Sequence, residues 1–370
     1  MDLWILAGQS NMEGCGDLVD LEAPSSSVRM FAHGDFWKTA EDPLHWLLEA
    51  NDVVHHPDLT GSDLERERAN HRANRTKGAG CGLTFAKRIA ESTGRTVGLI
   101  PCAHGGTSME QWSPGKKDEG GASFYGAMLR RVQLAIETSG GHLRGILWYQ
   151  GESDAWGEAS LLYRKRMHEL IAACRSDFND PELAFYLVQL GVFANTGPAT
   201  QDDIRAWCRV RETQRLLPSE ISHTATVPAI DLDLDDGIHI GSVGQKRLGR
   251  RLANVALEQT YRQPAPAGIG LESVKRHGDQ IKVVFSGVHG ELRAPDPSGR
   301  VPGFALEQNG IVDSKHIYRT TVESETSVRI RLGSVPQDGA QLWYGWGYDP
   351  FCQLTDSADM AVPAFGPIPV

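Results

Sequence analysis

The chain predicts an α/β fold: a parallel sheet with helices on both faces, three layers in all, followed by a smaller β-rich module. Three observations predict it. Strands alternate with helices from residue 3 onward, and parallel strands joined in this way place helices against both sides of the sheet. Polar residues fall just after strand ends at Ser10, Gly106, Gln150 and His239, which points to one shared crevice at the carboxyl edge. The pattern then changes after Pro264-Ala265-Pro266-Ala267-Gly268, which divides the 370 residues into 1–262 and 263–370.

The first strand is Leu3-Trp4-Ile5-Leu6-Ala7, an apolar run suited to a buried position. It breaks at Gly8-Gln9-Ser10-Asn11-Met12, where a glycine lets the backbone turn sharply as it leaves the sheet. Ser10 there is either a helix cap or a nucleophile. Val28–Ala32 reads as a second strand and 34–50 as a loop. Residues 55–77 hold His55, His56, Arg66, Arg68, His71, Arg72, Arg75 and Lys77 with few apolar residues, so they read as a solvated surface insertion. The His55-His56 pair is not taken as a metal site.

Leu83–Ala90 has helical spacing and stops before Gly94. Thr96–Ala103 is a strand that runs into His104-Gly105-Gly106-Thr107-Ser108. Phe124–Thr138 is a helix closed by Gly140-Gly141. The strand Leu143–Gln150 leads to Gly151-Glu152-Ser153-Asp154. A helix through Leu161, Met167 and Leu170, a strand at Leu183–Leu190 and a helix at Ile204–Leu217 ended by Pro218 follow. Thr224–Ile230 is the last strand before Asp236-Gly237-Ile238-His239, and Val243, Leu248, Leu252 and Val255 mark a closing helix. Beyond residue 263, Ile281–Phe285, Ser327–Leu332 and Leu342–Trp346 are short strands without a helix between them. Their spacing fits a β-sandwich.

Composition narrows the function. A net charge of -10 argues against a general nucleic-acid binder, which needs a basic face. No run is long and apolar enough to insert in a membrane. The six cysteines, Cys15, Cys81, Cys102, Cys174, Cys208 and Cys352, form no Cys-x-x-Cys pair and hence no zinc framework. No metal and no cofactor are expected. Oligomeric state stays open. So does localisation: the chain enters its first strand at residue 3, and removal of a leader would make it secreted or periplasmic, its absence cytoplasmic.

A hydroxyl nucleophile needs a base, and the base needs a carboxylate to fix its tautomer. The chain offers all three in the order Ser10, Asp236, His239. Glu152, two residues after Gln150, is a second carboxylate within reach of the same crevice, so the orienting group is Asp236 or Glu152. Gly105-Gly106 would let backbone N–H groups approach an oxyanion. Trp112, Trp148 and Trp156 surround these motifs, and Trp112 is a candidate wall for a sugar ring. Cys102 lies within a strand end and lacks a carboxylate partner, which disfavours it as nucleophile.

Gly-Gln-Ser-Asn-Met, Gly105-Gly106-Thr107-Ser108, Trp148-Tyr149-Gln150-Gly151-Glu152-Ser153-Asp154 and Asp236-Gly237-Ile238-His239 together resemble the SGNH hydrolases, more narrowly the sialate O-acetylesterase-like and acetylxylan esterase-like carbohydrate esterases. The resemblance covers residues 1 to about 262. It is not the Gly-x-Ser-x-Gly elbow of α/β-hydrolases. The resemblance implies a flavodoxin-like three-layer fold and removal of O-acetyl groups from a sugar. It implies Ser10 as nucleophile, His239 as base and Asp236 as its partner. It also implies an oxyanion hole from the N–H groups of Ser10 and Gly106 with Gln150 as side-chain donor, and auxiliary roles for Glu152 and Gln9. The expected partner is an acetylated carbohydrate, either acetylated sialic acid or acetylated xylan or another glycan. Two other readings stand beside it: an SGNH lipase or thioesterase for longer acyl chains, and a catalytically silent carbohydrate-binding protein.

Overall fold

The computed structural model describes residues 1–194 and 196–370. In chain order the first part contains β1 (Asp2–Gly8), α1 (Ser10–Glu13), β2 (Gly16–Asp17), β3 (Val28–Phe31), β4 (Trp37–Thr39), α2 (Gly61–Asn74), β5 (Lys77–Ala79), α3 (Gly82–Thr93), β6 (Val97–Pro101), α4 (Phe124–Ser139), β7 (His142–Tyr149), α5 (Gly157–Asp177), β8 (Ala184–Gln189), α6 (Gln201–Glu220), β9 (Thr224–Pro228) and α7 (Ser242–Gln259). One seven-stranded sheet runs β4-β3-β6-β1-β7-β8-β9. Every pairing in it is parallel except β3 with β4.

The apolar first strand sits where its sequence requires. All seven residues of β1 are buried, with β6 on one side and β7 on the other. From β6 the chain crosses over β1 to reach β7, so the strand order reverses at β1. A crevice opens at such a reversal, and Ser10 leaves β1 into it. Gly8 makes the exit possible: at φ 128° a Cβ would lie 2.1 Å from the Tyr149 carbonyl oxygen. That closeness lets the Gln9 N–H donate to the same carbonyl at 2.8 Å.

Three local expectations change. The stretch 34–50 is not all loop. It contributes the edge strand β4, whose Trp37 packs on Phe31 at 5.2 Å between ring centres. A three-residue strand leaves no period to read. Helix α6 does not stop at Pro218 but includes it. Proline has no N–H for the Gln214 carbonyl, and the Thr226 hydroxyl donates to that oxygen instead at 2.6 Å. The 55–77 insertion is only partly a solvated surface. Helix α2 is polar all round and buries Leu64 alone, but His55 turns inward and its Nδ1 lies 3.0 Å from His104 Nδ1. Among the described residues no helix is long and apolar enough to cross a membrane.

Beyond residue 262 the chain forms antiparallel sheets. One orders Gly270–His277, Gln280–Ser286, Ser327–Leu332 and Ile317–Ser324; a second orders Ile311–Asp313, Phe304–Gln308, Gln341–Tyr344 and Phe365–Pro369; a third pairs Leu292–Arg293 with Thr355–Asp356. Their core is continuous with that of the α/β part: Ile281, Phe285, Phe304, Tyr344 and Phe365 belong to the same buried cluster as Leu3 and Trp148. Arg211 of α6 crosses the junction. It is 1% exposed and donates to five carbonyls, those of Leu190, Gly191, Gly345, Gly347 and Tyr348. A guanidinium has five N–H bonds, so this buried cation is satisfied without a carboxylate.

Candidate active site

Three chain segments bring the site together. Ser10 begins α1 beyond β1, Gly105-Gly106 follow β6, and His239 precedes α7. Ser10, Gly105, Gly106 and His239 line one cleft of about 510 Å³, together with Gln9, Glu13, Cys15, Glu152, Ser153, Trp156 and Ile238. The fit at Gly105 is close: a Cβ there would lie 3.3 Å from Glu13 Oε2, which would have to give by a few tenths of an ångström, and 3.5 Å from the Ser10 Cβ. The backbone N–H groups of Ser10 and Gly106 have no partner among the described residues. For Ser10 this follows from its place at a helix start.

The 236–239 loop folds around its own carboxylate. Asp236 Oδ1 accepts from the N–H groups of Ile238 at 3.0 Å and His239 at 2.9 Å. Its Oδ2 faces His239 Nδ1 at 2.8 Å and Lys77 Nζ at 2.9 Å. Burial pushes the Asp236 carboxyl up. The Ile238 N–H, the His239 ring, Lys77 and the His239 N–H together outweigh it and hold the group well below the usual carboxylate range. A carboxylate fixed on Nδ1 leaves Nε2 as the ring atom free to exchange a proton. Glu152 is placed differently. Its Oε1 accepts from Asn11 Nδ2 at 2.8 Å, and its buried Oε2 has no partner among the described residues. Burial raises its pKa. Asn11, next to Ser10, also donates to the Ile238 carbonyl at 3.2 Å and accepts from the Ile240 N–H at 3.0 Å. It therefore ties the serine turn to the histidine loop.

Residues 1–258 match the family model described as SASA, the sialic acid-specific acetylesterase family of carbohydrate esterases. The chain belongs to this family. It is a carboxylic ester hydrolase. Over 275 residues it is 28% identical to a probable carbohydrate esterase of Arabidopsis thaliana, covering 69% of this chain and 90% of that protein. It is 26% identical over 166 residues to the human sialate O-acetylesterase, covering 41% of this chain and 31% of the human protein, so the match reaches about a third of that relative. The structure of a carbohydrate acetylesterase from Xanthomonas citri superposes with a TM-score of 0.72 at 21% identity, over 98% of this chain and 80% of that one, which shows a shared fold.

Two expected site residues of this esterase lie elsewhere. The Gln150 amide does not face the cleft: its nitrogen donates to Asp154 Oδ2 at 2.7 Å and the Thr107 carbonyl at 3.1 Å, which occupies both hydrogens. Trp112 is fully buried, T-shaped against Trp148 and stacked on Phe124, and its indole N–H donates to Thr107. It cannot meet a sugar ring; Trp156, 39% exposed, lines the cleft instead. Gln9 is the amide on the cleft wall. Its Oε1 accepts from the N–H groups of Gly151 at 3.4 Å and Ser153 at 3.3 Å, and its nitrogen has no partner among the described residues.

Sequence reasoning missed Glu13. It lies one helical turn beyond Ser10, and that spacing alone places both on one face of α1. Its Oε2 accepts from the Gly105 N–H at 2.8 Å. Burial pushes its carboxyl up to about 7, against the opposing pull of that hydrogen bond, Arg75 and His239. Cys15 also lines the cleft, but burial and the nearby Glu13 and Asp236 charges push its thiol up to about 12, so it stays protonated and weakly nucleophilic. Cys102 is buried, with its thiol pushed up to about 11.

Proposed function

We propose that this esterase removes O-acetyl groups from a carbohydrate by way of an acyl-enzyme. The reading rests on His239, which lines one cleft with Ser10 and is held at Nδ1 by Asp236. Ser10 Oγ attacks the acetyl carbonyl carbon while its proton passes to His239 Nε2. The imidazolium then gives that proton to the departing sugar oxygen. Water repeats the two steps on the acetyl-serine and releases acetate. Asp236 holds the ring and stabilises its charged form. The oxyanion of each tetrahedral intermediate is stabilised by the unpaired N–H groups of Ser10 and Gly106. Gln9, with its oxygen already held and its nitrogen unpartnered, is the side-chain donor in this reading, in place of Gln150.

The substrate is an acetylated glycan, with acetylated sialic acid and acetylated xylan as the leading classes; the family description supports the first. The crossover order around β1 supports a flavodoxin-like SGNH arrangement, and the two four-stranded C-terminal sheets are read as a sandwich-like module. The test is acetate release from O-acetylated sialic acid and acetylated xylan, alongside 4-nitrophenyl acetate and octanoate. Acetate should come from at least one glycan and the short ester should be preferred, with turnover down about a thousandfold or more in Ser10→Ala. Preference for octanoate, or full turnover in Ser10→Ala, would overturn the reading.

A further inference from the structure

A second cleft, larger than the one beside Ser10, lies apart from it. It lies in the C-terminal module, measures about 820 Å³, and has none of the residues of the catalytic cleft in its wall. Its lining is unusual for a protein surface. Tyr318 is 60% exposed and Phe351 64% exposed, two of the few large aromatic side chains that meet solvent. Trp346 also lines the cleft and is fixed in place: the Arg205 guanidinium sits 5.3 Å over its ring and Trp343 packs against it at 4.7 Å. Exposed aromatic surface gathered in a concave site marks a binding function rather than a packing need.

The charges in the cleft sharpen this. Arg300 and Arg319 both line it, and neither side chain makes a hydrogen bond or an ion pair among the described residues. Most other arginines of this acidic chain are paired. Of the carboxylates present, Asp313 is paired with Lys315 at 2.9 Å, and Asp296 accepts from the Ser298 N–H at 2.7 Å. The Ser298 hydrogen bonds and, after them, the Arg300 charge hold the Asp296 carboxyl below its ordinary range, yet neither guanidinium has its N–H groups engaged among the described residues. Planar guanidinium groups beside open aromatic faces suit a ligand that combines flat apolar faces with a carboxylate.

One wall of this cleft is anchored and reaches toward the catalytic one. Trp346, Pro350 and Phe351 belong to a segment whose Gly345, Gly347 and Tyr348 carbonyls are held by buried Arg211. On its other side the same segment places Tyr348 against Trp156, 5.7 Å between ring centres, and Trp156 lines the catalytic cleft. A pre-formed site loses little freedom on binding.

We propose that the module cleft is a second glycan site that binds an acidic oligosaccharide, with sugar faces on Tyr318 and Phe351 and a carboxylate on Arg300 and Arg319. The proposal rests on the carbohydrate reading of the catalytic cleft. The test is isothermal titration of the full chain with a sialic acid tetramer, a glucuronic acid-bearing xylo-oligosaccharide and neutral xylohexaose. At least one acidic sugar should bind, at least about tenfold more tightly than xylohexaose, and added salt should weaken it. Tyr318→Ala and Arg319→Gln should each lower that affinity about tenfold and leave 4-nitrophenyl acetate hydrolysis unchanged. If either variant loses its melting transition, Phe351→Ser and Arg300→Gln on the exposed rim ask the same question. No acidic sugar binding below about 1 mM, equal affinity for xylohexaose, or wild-type affinity in the variants would overturn the proposal. Loss of 4-nitrophenyl acetate hydrolysis by the wild type would count against the catalytic reading instead.

Discussion

The Lys77 ammonium lies 2.9 Å from Asp236 Oδ2, the oxygen that also faces His239 Nδ1 at 2.8 Å. Lysine and imidazole therefore share one carboxylate oxygen at the cleft rim. Both partners of the ion pair are more than a third exposed, so the lysine should contribute modestly. Lys77→Met is expected to lower kcat/KM about two- to tenfold, whereas Asp236→Asn should cost up to about ten-thousandfold, the scale seen for the orienting aspartate of a serine protease. Steady-state kinetics on 4-nitrophenyl acetate decides; a mild Asp236→Asn defect would remove Asp236 from the mechanism.

Glu13 sets a pH dependence. Its folded-state pKa is raised to about 7, so the stability it contributes is fully present below the ordinary glutamate range and is lost as pH rises through about 7. Glu13→Gln, neutral at every pH, should melt close to wild type at pH 5 and above it at pH 8. Superimposable melting curves at both pH values would show that the group is not buried as described.

The two glutamines should separate. Gln9→Glu keeps an acceptor for the Gly151 and Ser153 N–H groups and removes the donor. It should reduce kcat by about a hundredfold or more with little change in melting temperature. Gln150→Leu should chiefly lower the melting temperature, because it leaves Asp154 without its amide partner. The reverse pattern would restore Gln150 as the oxyanion donor.

Glu152 should act through Asn11. Glu152→Gln retains an oxygen for the Asn11 amide and should hold activity within about tenfold, while Glu152→Ala frees Asn11 and should lose about ten- to a hundredfold. A Glu152→Gln enzyme as impaired as Asp236→Asn would make Glu152 the orienting carboxylate.

Much of the site was legible because its parts are local. Asp236 and His239 share one loop, so a three-residue spacing is enough to bring carboxylate and ring together. Ser10 was legible because Leu3–Ala7 announces a buried strand and Gly8 its sharp exit. The amide donor was not, since the direction of Gln150 depends on Thr107, which lies 43 residues earlier, and on the turn that carries Asp154. Trp112 and Trp156 are indistinguishable as letters; packing by Phe124 and Trp148 decides which is hidden. Lys77 closes a basic stretch that reads as surface, and only the path from α2 through β5 delivers it to Asp236.

The module is not expected to be freely removable. A chain ending at residue 262 loses three of the five acceptors of Arg211 and the reciprocal pair in which Gln189 Nε2 donates to the Ala364 carbonyl at 2.8 Å and Ala364 N–H donates back at 2.9 Å. An unsatisfied buried charge is strongly destabilising. The truncated chain is expected to be insoluble or to lack a cooperative melt, and an Arg211→Met exchange in it should recover soluble protein. A truncated chain that melts cooperatively would make residues 1–262 an independent domain.

Arg211 also bears on how the enzyme is made. Its acceptors at Gly345, Gly347 and Tyr348 lie 134, 136 and 137 residues further along the chain. During synthesis the residues around Ser10 emerge first, whereas three of the five carbonyls that satisfy buried Arg211 are not made until residue 348. Folding from the amino end, one domain at a time, would leave this cation short of acceptors until then. If the truncated chain is insoluble as expected, the hydrolase comes of age only when nearly all of it is in hand, and a prematurely ended message would yield no partly working enzyme.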